Sequence, residues 1–362
     1  MISSPLPSPW IPTLLLLLLS LPIFFFFASH ILPSPPPPIS LPDELDDLTL
    51  FRRAAALESH PNHKPKSRLG STNSKPKIAF LFLTNSDIQF APLWEKFFNG
   101  SKSNRNLYTI YIHADPTVKT KFKSPGGVFS QDRLIPAKQT HRATATLISA
   151  ERRLLANALL DDPSNAFFTL ISQHCIPLHS FQFFYNTLFE ASSHQVAEFR
   201  HLKYKSFIEI ISKDPNLWDR YNARGKKVML PEVPFDEFRV GSQFFTLTRR
   251  HALMVTQERR LWKKFMRPCL RSVACYPEEH YFPTFLSMED PEGCSGYTLT
   301  NVNWTDSVNG HPYTYHPSEL SPELIYKLRR SNFVQPYMFA RKFTPDCLNP
   351  LMDMADDVIF RD

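Results

Sequence analysis

Glycine is scarce in this sequence, with nine residues in 362 against 33 prolines. Many of those prolines fall within the first 76 positions, so the N-terminal stretch is stiff and extended and not a flexible Gly/Ser tether. Zinc-type cysteine spacing is also missing. The five cysteines, Cys175, Cys269, Cys275, Cys294 and Cys347, form no Cys-x-x-Cys pair and no cluster with histidine, which argues against a metal site. Four of them can pair, leaving one free. Cys269, Cys275 and Cys294 are close in sequence and are the first candidates, with the connectivity left open. There is no long basic run and no nucleic-acid recognition motif. Basic residues come in scattered pairs such as Arg152/Arg153, Lys226/Lys227 and Arg249/Arg250, so the reading is no nucleic-acid partner. Residues 1–10 hold no charged side chain, so the positive segment of a cleaved signal peptide is absent.

What is present describes a folded body behind a tether. A hydrophobic content of 43% can bury one large core or two smaller ones. Lys and Arg (41) outnumber Asp and Glu (34), giving +7 and a pI near 9.1, which suits an anionic partner such as a nucleotide sugar, a phosphate or a membrane surface. Ile11 to Leu32 reads IPTLLLLLLSLPIFFFFASHIL, without Asp, Glu, Lys or Arg and long enough to span a bilayer. The reading is a cytoplasmic tail (1–10), an uncleaved membrane anchor (11–32) and a Pro-rich stem (33–76) with one short helical candidate near Phe51–Glu58. Two glycosylation sequons, at Asn99 and Asn303, together with the unpatterned cysteines, lean toward a lumenal body over 77–362.

The body begins with a change of character at Lys77. Three apolar runs of strand length, at Ile78–Leu83, Leu107–Ile112 and Ala166–Ser172, are separated by helical patterns around Leu93–Phe98 and Leu147–Leu160. Strands without polar alternation, interleaved with amphipathic helices, predict an α/β fold with a largely parallel sheet covered on both faces. Asp115 follows the second strand and precedes Pro116. Ligands of open α/β sheets bind beyond the carboxyl ends of strands, so Asp115 is either a ligand contact or a turn-capping residue. Residues 196–239 are less regular. Then Gly241–Leu253, GSQFFTLTRRHAL, predicts a strand running into a helix.

Residues 274–286, ACYPEEHYFPTFL, carry the chemistry. Pro277 suits a first helical position, which puts Glu278 and Glu279 in a first turn where free N–H groups favour negative charge. The following aromatics would bury and hold that turn still, and Pro283 would kink or shorten the helix. A carboxylate fixed on a rigid rim is what a general base requires, although glutamates in a first turn are also ordinary dipole partners. Near the C-terminus, Arg341 and Lys342 stand between Phe339 and Phe343 in FARKF.

In this order, IAFLFLT, YIHADP, AERRLLANALL, CIPL, GSQFFTLTRRHAL, PEEHYFPT and FARKF resemble the plant branch of the Core-2/I-branching β-1,6-N-acetylglucosaminyltransferase family, glycosyltransferase family 14, over about Lys77–Pro350. The resemblance implies a GT-A type fold and a single-pass type II Golgi membrane protein. It also implies inverting transfer of a sugar, GlcNAc or another, from a UDP-sugar to a glycan acceptor. It assigns catalytic base to Glu279, a donor-diphosphate contact to Lys342 beside Arg341, and a uridine-facing role to Asp115. Where animal members have a second basic donor contact, an Arg, this chain has His311-Pro-Tyr. It also departs from the plant pattern at Thr84–Asp87 and at QTHRATATLI, where a tryptophan-glycine segment is expected.

No Asp-x-Asp, by which many GT-A enzymes hold a cation on the donor diphosphate, occurs in the sequence. The expectation is therefore a metal-independent reaction needing no cofactor, with Arg341 and Lys342 supplying the positive charge. The alternative is a membrane-anchored glycan-binding protein or pseudoenzyme without turnover.

Overall fold

A strand that is apolar on both faces is stable only between two covering layers, and the apolar runs of this chain obtain them. The computed structural model describes residues 44–57, 75–118, 122–189, 204–307 and 310–362. The expected tail (1–10), anchor (11–32) and most of the stem lie outside the described residues, and no described helix is long and apolar enough to cross a membrane. The strands are β1 (Lys77–Thr84), β2 (Tyr108–Ala114), β3 (Asn165–Ser172), β4 (Ile176–Pro177), β5 (Ser206–Glu209), β6 (Thr246–Thr248), β7 (Cys294–Gly296), β8 (Thr300–Val302) and β9 (Phe339–Arg341). A six-stranded sheet has the order β2-β1-β3-β6-β5-β7. Only β6 runs against its neighbours, so the sheet is mixed but mostly parallel. Phe80 lies opposite Ile110 on β2 and Thr169 on β3, which aligns the carboxyl ends Thr84, Ala114 and Ser172 along one edge.

The helices used below are α1 (Glu44–Ala56), α2 (Ala91–Asn99), α3 (Ala145–Asp161), α4 (Phe181–Phe189), α5 (Leu217–Tyr221), α6 (Arg249–Gln257) and α7 (Tyr281–Glu289). Aromatic packing fixes α2 and α4 on the sheet, with Phe80 4.9 Å from Phe98 and 5.9 Å from Phe184, and Phe82 5.4 Å from Trp94 (ring centroids). Helix α3 packs on β1, β2 and β3 and is capped by Thr144, whose hydroxyl accepts from the Thr146 N–H. A smaller sheet, β4-β9-β8, brings the FARKF segment alongside the carboxyl end of β3.

Helix α1 falls within the stretch read as stem but docks on α3 and α6, within a compact unit running from Leu41 to Asp362. Asp47 accepts from Arg153 Nε and Nη2 at 2.7 and 2.6 Å, and Phe51 lies 4.6 Å below the Arg152 guanidinium. Three other expectations change. Cys269 pairs with Cys275, two of the three first candidates, leaving Cys294, Cys175 and Cys347 as buried thiols, so one pair forms where two were possible. Pro283 neither kinks nor shortens α7, because the helix starts at Tyr281 and Pro283 stands in its first turn, where no intrahelical N–H bond is lost. The irregular stretch 196–239 contains β5 and α5, elements too short to leave a periodic signal.

Candidate active site

The carboxyl ends of β1 and β3, the PEEH turn and the FARKF strand converge on one cleft of about 260 Å³. Its wall includes Thr84, Ser172, His174, Gln243, Tyr276, Glu278, Glu279, Trp304, His311, Arg341 and Lys342. Four residues singled out from sequence, Glu279, His311, Arg341 and Lys342, therefore share one space. Glu279 lies in a single 3-10 turn, Pro277–Glu279, and not in a longer helix. Tyr276, in the left-handed region at φ 35°, reverses the chain immediately before that turn, and the Cys269–Cys275 disulfide closes the loop ahead of it. The Glu279 carbonyl accepts from the Gly241 N–H at 2.9 Å. A Cβ on Gly241 would sit 2.0 Å from the Glu209 carbonyl oxygen, so glycine is required for that approach.

The two adjacent glutamates have different environments. Glu279 Oε2 accepts from Arg220 Nη1 at 2.8 Å, with both side chains about four-fifths buried. Burial pushes its carboxyl above the usual range, and the Arg220 charge opposes that rise. Glu278 is deeper: Oε1 accepts from the Ala143 N–H at 3.1 Å, and Oε2 is buried without a hydrogen-bond partner. Burial carries Glu278 to about 7. Behind it, fully buried Glu151 accepts from Gln243 at 2.7 Å and is also raised well above its ordinary value by burial. A cation-paired Glu279 beside a deeper Glu278 that lacks a cation partner places two adjacent carboxyls in two different environments. His280 is a core residue: its ring stacks on Phe238 at 4.6 Å, its Nδ1 lies 2.7 Å from the Arg239 carbonyl, and burial holds it at about 3.

Cations form the opposing wall. Arg341 lies 4.5 Å over the Phe244 ring, and its Nε is buried without a partner. Lys342 has no carboxylate partner among the described residues, and its pKa is lowered by burial and by the charges of Arg341 and Arg142. His174, held at about 4 by burial and by Lys342 and Arg341, is neutral there. A lysine without a carboxylate partner in a half-enclosed cleft favours an anion beside it. His311 departs from a cationic role: its Nε2 lies 2.8 Å from Arg142 Nη1, and burial followed by the charge of Arg142 lowers its pKa.

Asp115 is not on the cleft wall. Its Oδ1 accepts from the Thr117 N–H and hydroxyl and its Oδ2 from those of Thr140, all at 2.7–2.8 Å, so the carboxylate holds its own loop. Asn99 is exposed at the end of α2 and bonds Glu95. Asn303 is half-buried, its amide donating to the Tyr315 hydroxyl at 3.0 Å. Arg142 and Arg220 complete the site with no motif to announce them. In the sequence Arg220 is one cation in an aromatic stretch, and Arg142 falls in the QTHRATATLI segment that departs from the plant pattern. A second cavity, of about 220 Å³ beneath α1, is lined by Phe51, Trp262 and Met266 together with Asp47 and the cations Arg52, Arg152, Arg259 and Lys263, and Asp47 is already committed to Arg153.

Residues 78–329, more than half of the chain, match the family described as Core-2/I-branching enzyme. The chain belongs to that family. It is similar to glycosyltransferase BC10 of Oryza sativa subsp. japonica, with 27% identity over 326 residues, covering 77% of this chain and 76% of that protein. This Core-2/I-branching enzyme is accordingly a glycosyltransferase, and its acid and cation walls flank the cleft in which a sugar donor and an acceptor would meet.

Proposed function

We propose that this chain is an inverting, metal-independent glycosyltransferase of GT-A type. It transfers a sugar, GlcNAc in the first instance, from a UDP-sugar to a hydroxyl of a glycan. The observation that carries this reading is the shared cleft of Glu279 and Lys342, an ionisable base facing unpaired cations. The Glu279 oxygen not held by Arg220 takes the proton of the acceptor hydroxyl as that oxygen attacks the anomeric carbon. The bond from that carbon to the donor phosphate breaks, and the electron pair leaves with UDP toward Lys342 and Arg341. Positioned charges act more strongly in such a partly desolvated cleft than in bulk water. Attack opposite the leaving group inverts the anomeric centre. In this reading residues 11–32 anchor the protein in the Golgi membrane as a single-pass type II protein, with the catalytic domain lumenal.

Glu279→Gln tests the base directly. General-base assistance contributes on the order of 10²–10⁴ in rate, so UDP release with a glycan acceptor should fall by that factor while UDP binding persists. Unchanged turnover would remove Glu279 from the reaction.

A further inference from the structure

The FARKF lysine is one fixed cation, and the position expected to supply a second holds a neutral histidine. We propose that Arg142, delivered from the loop between β2 and α3, is the second fixed cation for the donor diphosphate, with His311 serving to orient it. This rests on the functional reading above.

The geometry of that loop makes the assignment. Thr140 is bound through its N–H and its hydroxyl to Asp115, at 2.8 and 2.7 Å. The His141 N–H donates to the Thr146 hydroxyl at 2.8 Å, and the Ala143 N–H donates to Glu278 Oε1 at 3.1 Å. Ala143 adopts φ 57°, a left-handed backbone that an alanine takes only when its surroundings impose it. The backbone on both sides of Arg142 is thus anchored, and its side chain reaches the cleft rim. There Nη2 donates to the Gly310 carbonyl at 2.5 Å, Nη1 meets His311 Nε2 at 2.8 Å, and the guanidinium lies 5.6 Å from the Tyr276 ring centroid. None of these direct partners is a carboxylate, so the guanidinium is held in place without an ion pair occupying its donors. A guanidinium carries five N–H donors, and the Gly310 and His311 contacts leave others available for phosphate oxygens. With Nε2 accepting from Arg142, the His311 proton is on Nδ1. Its ring then acts as a guide for the cation, and Asp115 becomes a positioning residue acting through Thr140.

The test is equilibrium binding of UDP and UMP to the purified full-length chain, since the two probes differ by the second phosphate. Variants are Arg142→Met, Arg142→Lys, Asp115→Asn and Lys342→Met, with melting temperature as the check on folding; Arg142 is exposed, so its replacement should leave the fold intact. Loss of charge-assisted bonds should weaken UDP on the order of tenfold or more in Arg142→Met and UMP by much less. Arg142→Lys should recover part of the loss, and Asp115→Asn should show the same selective weakening in milder form. If Arg142→Met keeps the wild-type UDP-to-UMP ratio while Lys342→Met loses it, the assignment of Arg142 is overturned and the reading of the cleft stands. If the wild-type chain does not prefer UDP, both are overturned.

Discussion

Replacing Arg220 by glutamine separates charge from shape at the base. The ion pair to Glu279 is 2.8 Å long, and its side chains are only 20% and 22% exposed, so solvent screens it weakly. A hydrogen bond between charged groups in such a setting contributes about 1.5–3 kcal/mol, or roughly a 10- to 150-fold effect at about 1.4 kcal/mol per factor of ten. The sign follows from the proposed role of Glu279 as general base. It must be ionised to accept a proton, burial raises its pKa, and Arg220 opposes that rise. Without Arg220 the carboxyl ionises at higher pH, so the loss in kcat/KM should be largest on the acid side and shrink as pH rises. The assay is UDP release from donor and a glycan acceptor across pH, for wild type, Arg220→Gln and Arg220→Lys. Arg220→Lys keeps the charge and should retain most of the acid-side activity. A loss of equal size at every pH would refute the electrostatic argument and leave Arg220 with a steric or substrate-contact role; an unchanged profile would remove it from the site altogether.

Glu278 and α1 give two further expectations. Burial raises Glu278 from 4.5 to about 7, so the folded state holds this proton more tightly than the unfolded chain, and the associated stability, about 3 kcal/mol, is present below pH 4.5 and lost as pH rises through 7. Glu278→Gln should therefore show a smaller fall in melting temperature than wild type between those limits, and parallel curves would disprove the assignment. Asp47→Ala leaves the buried Arg153 guanidinium without its carboxylate, which should lower unfolding free energy by about 3–5 kcal/mol in denaturant titration. A change below 1 kcal/mol would mean that α1 contributes little to the folded unit.

Much of the framework is legible in the order of residues alone. The runs around Phe80, Ile110 and Phe168 lack polar alternation, and only a doubly covered strand accommodates that pattern. The α3 stripe of Leu147, Leu154, Leu155 and Leu159 is equally plain, and its observed span, Ala145–Asp161, exceeds the expected one by a residue or two at each end. Glu279 and Lys342 can be named because their local motifs, PEEH and FARKF, each have a recognisable sequence. What stays hidden depends on contacts between distant segments. Asp115 reads as either a ligand contact or a turn-capping residue, and its four acceptor bonds to Thr117 and Thr140, contacts with another segment among them, make it a loop anchor. His311 stands where the resemblance places a basic donor contact, yet burial and then the adjacent Arg142 lower its pKa and disfavour the cationic form.

The division has a physical origin. Burial periodicity is a property of neighbours along the chain, so strands, helices and the existence of a buried α/β core follow from residue order. Whether a charge is paired, neutralised or left facing a cleft depends on which remote segment arrives beside it. Arg220 reaches Glu279, Arg142 reaches His311, and no carboxylate among the described residues reaches Lys342, because the two sheets bring the PEEH turn and the FARKF strand to the same edge.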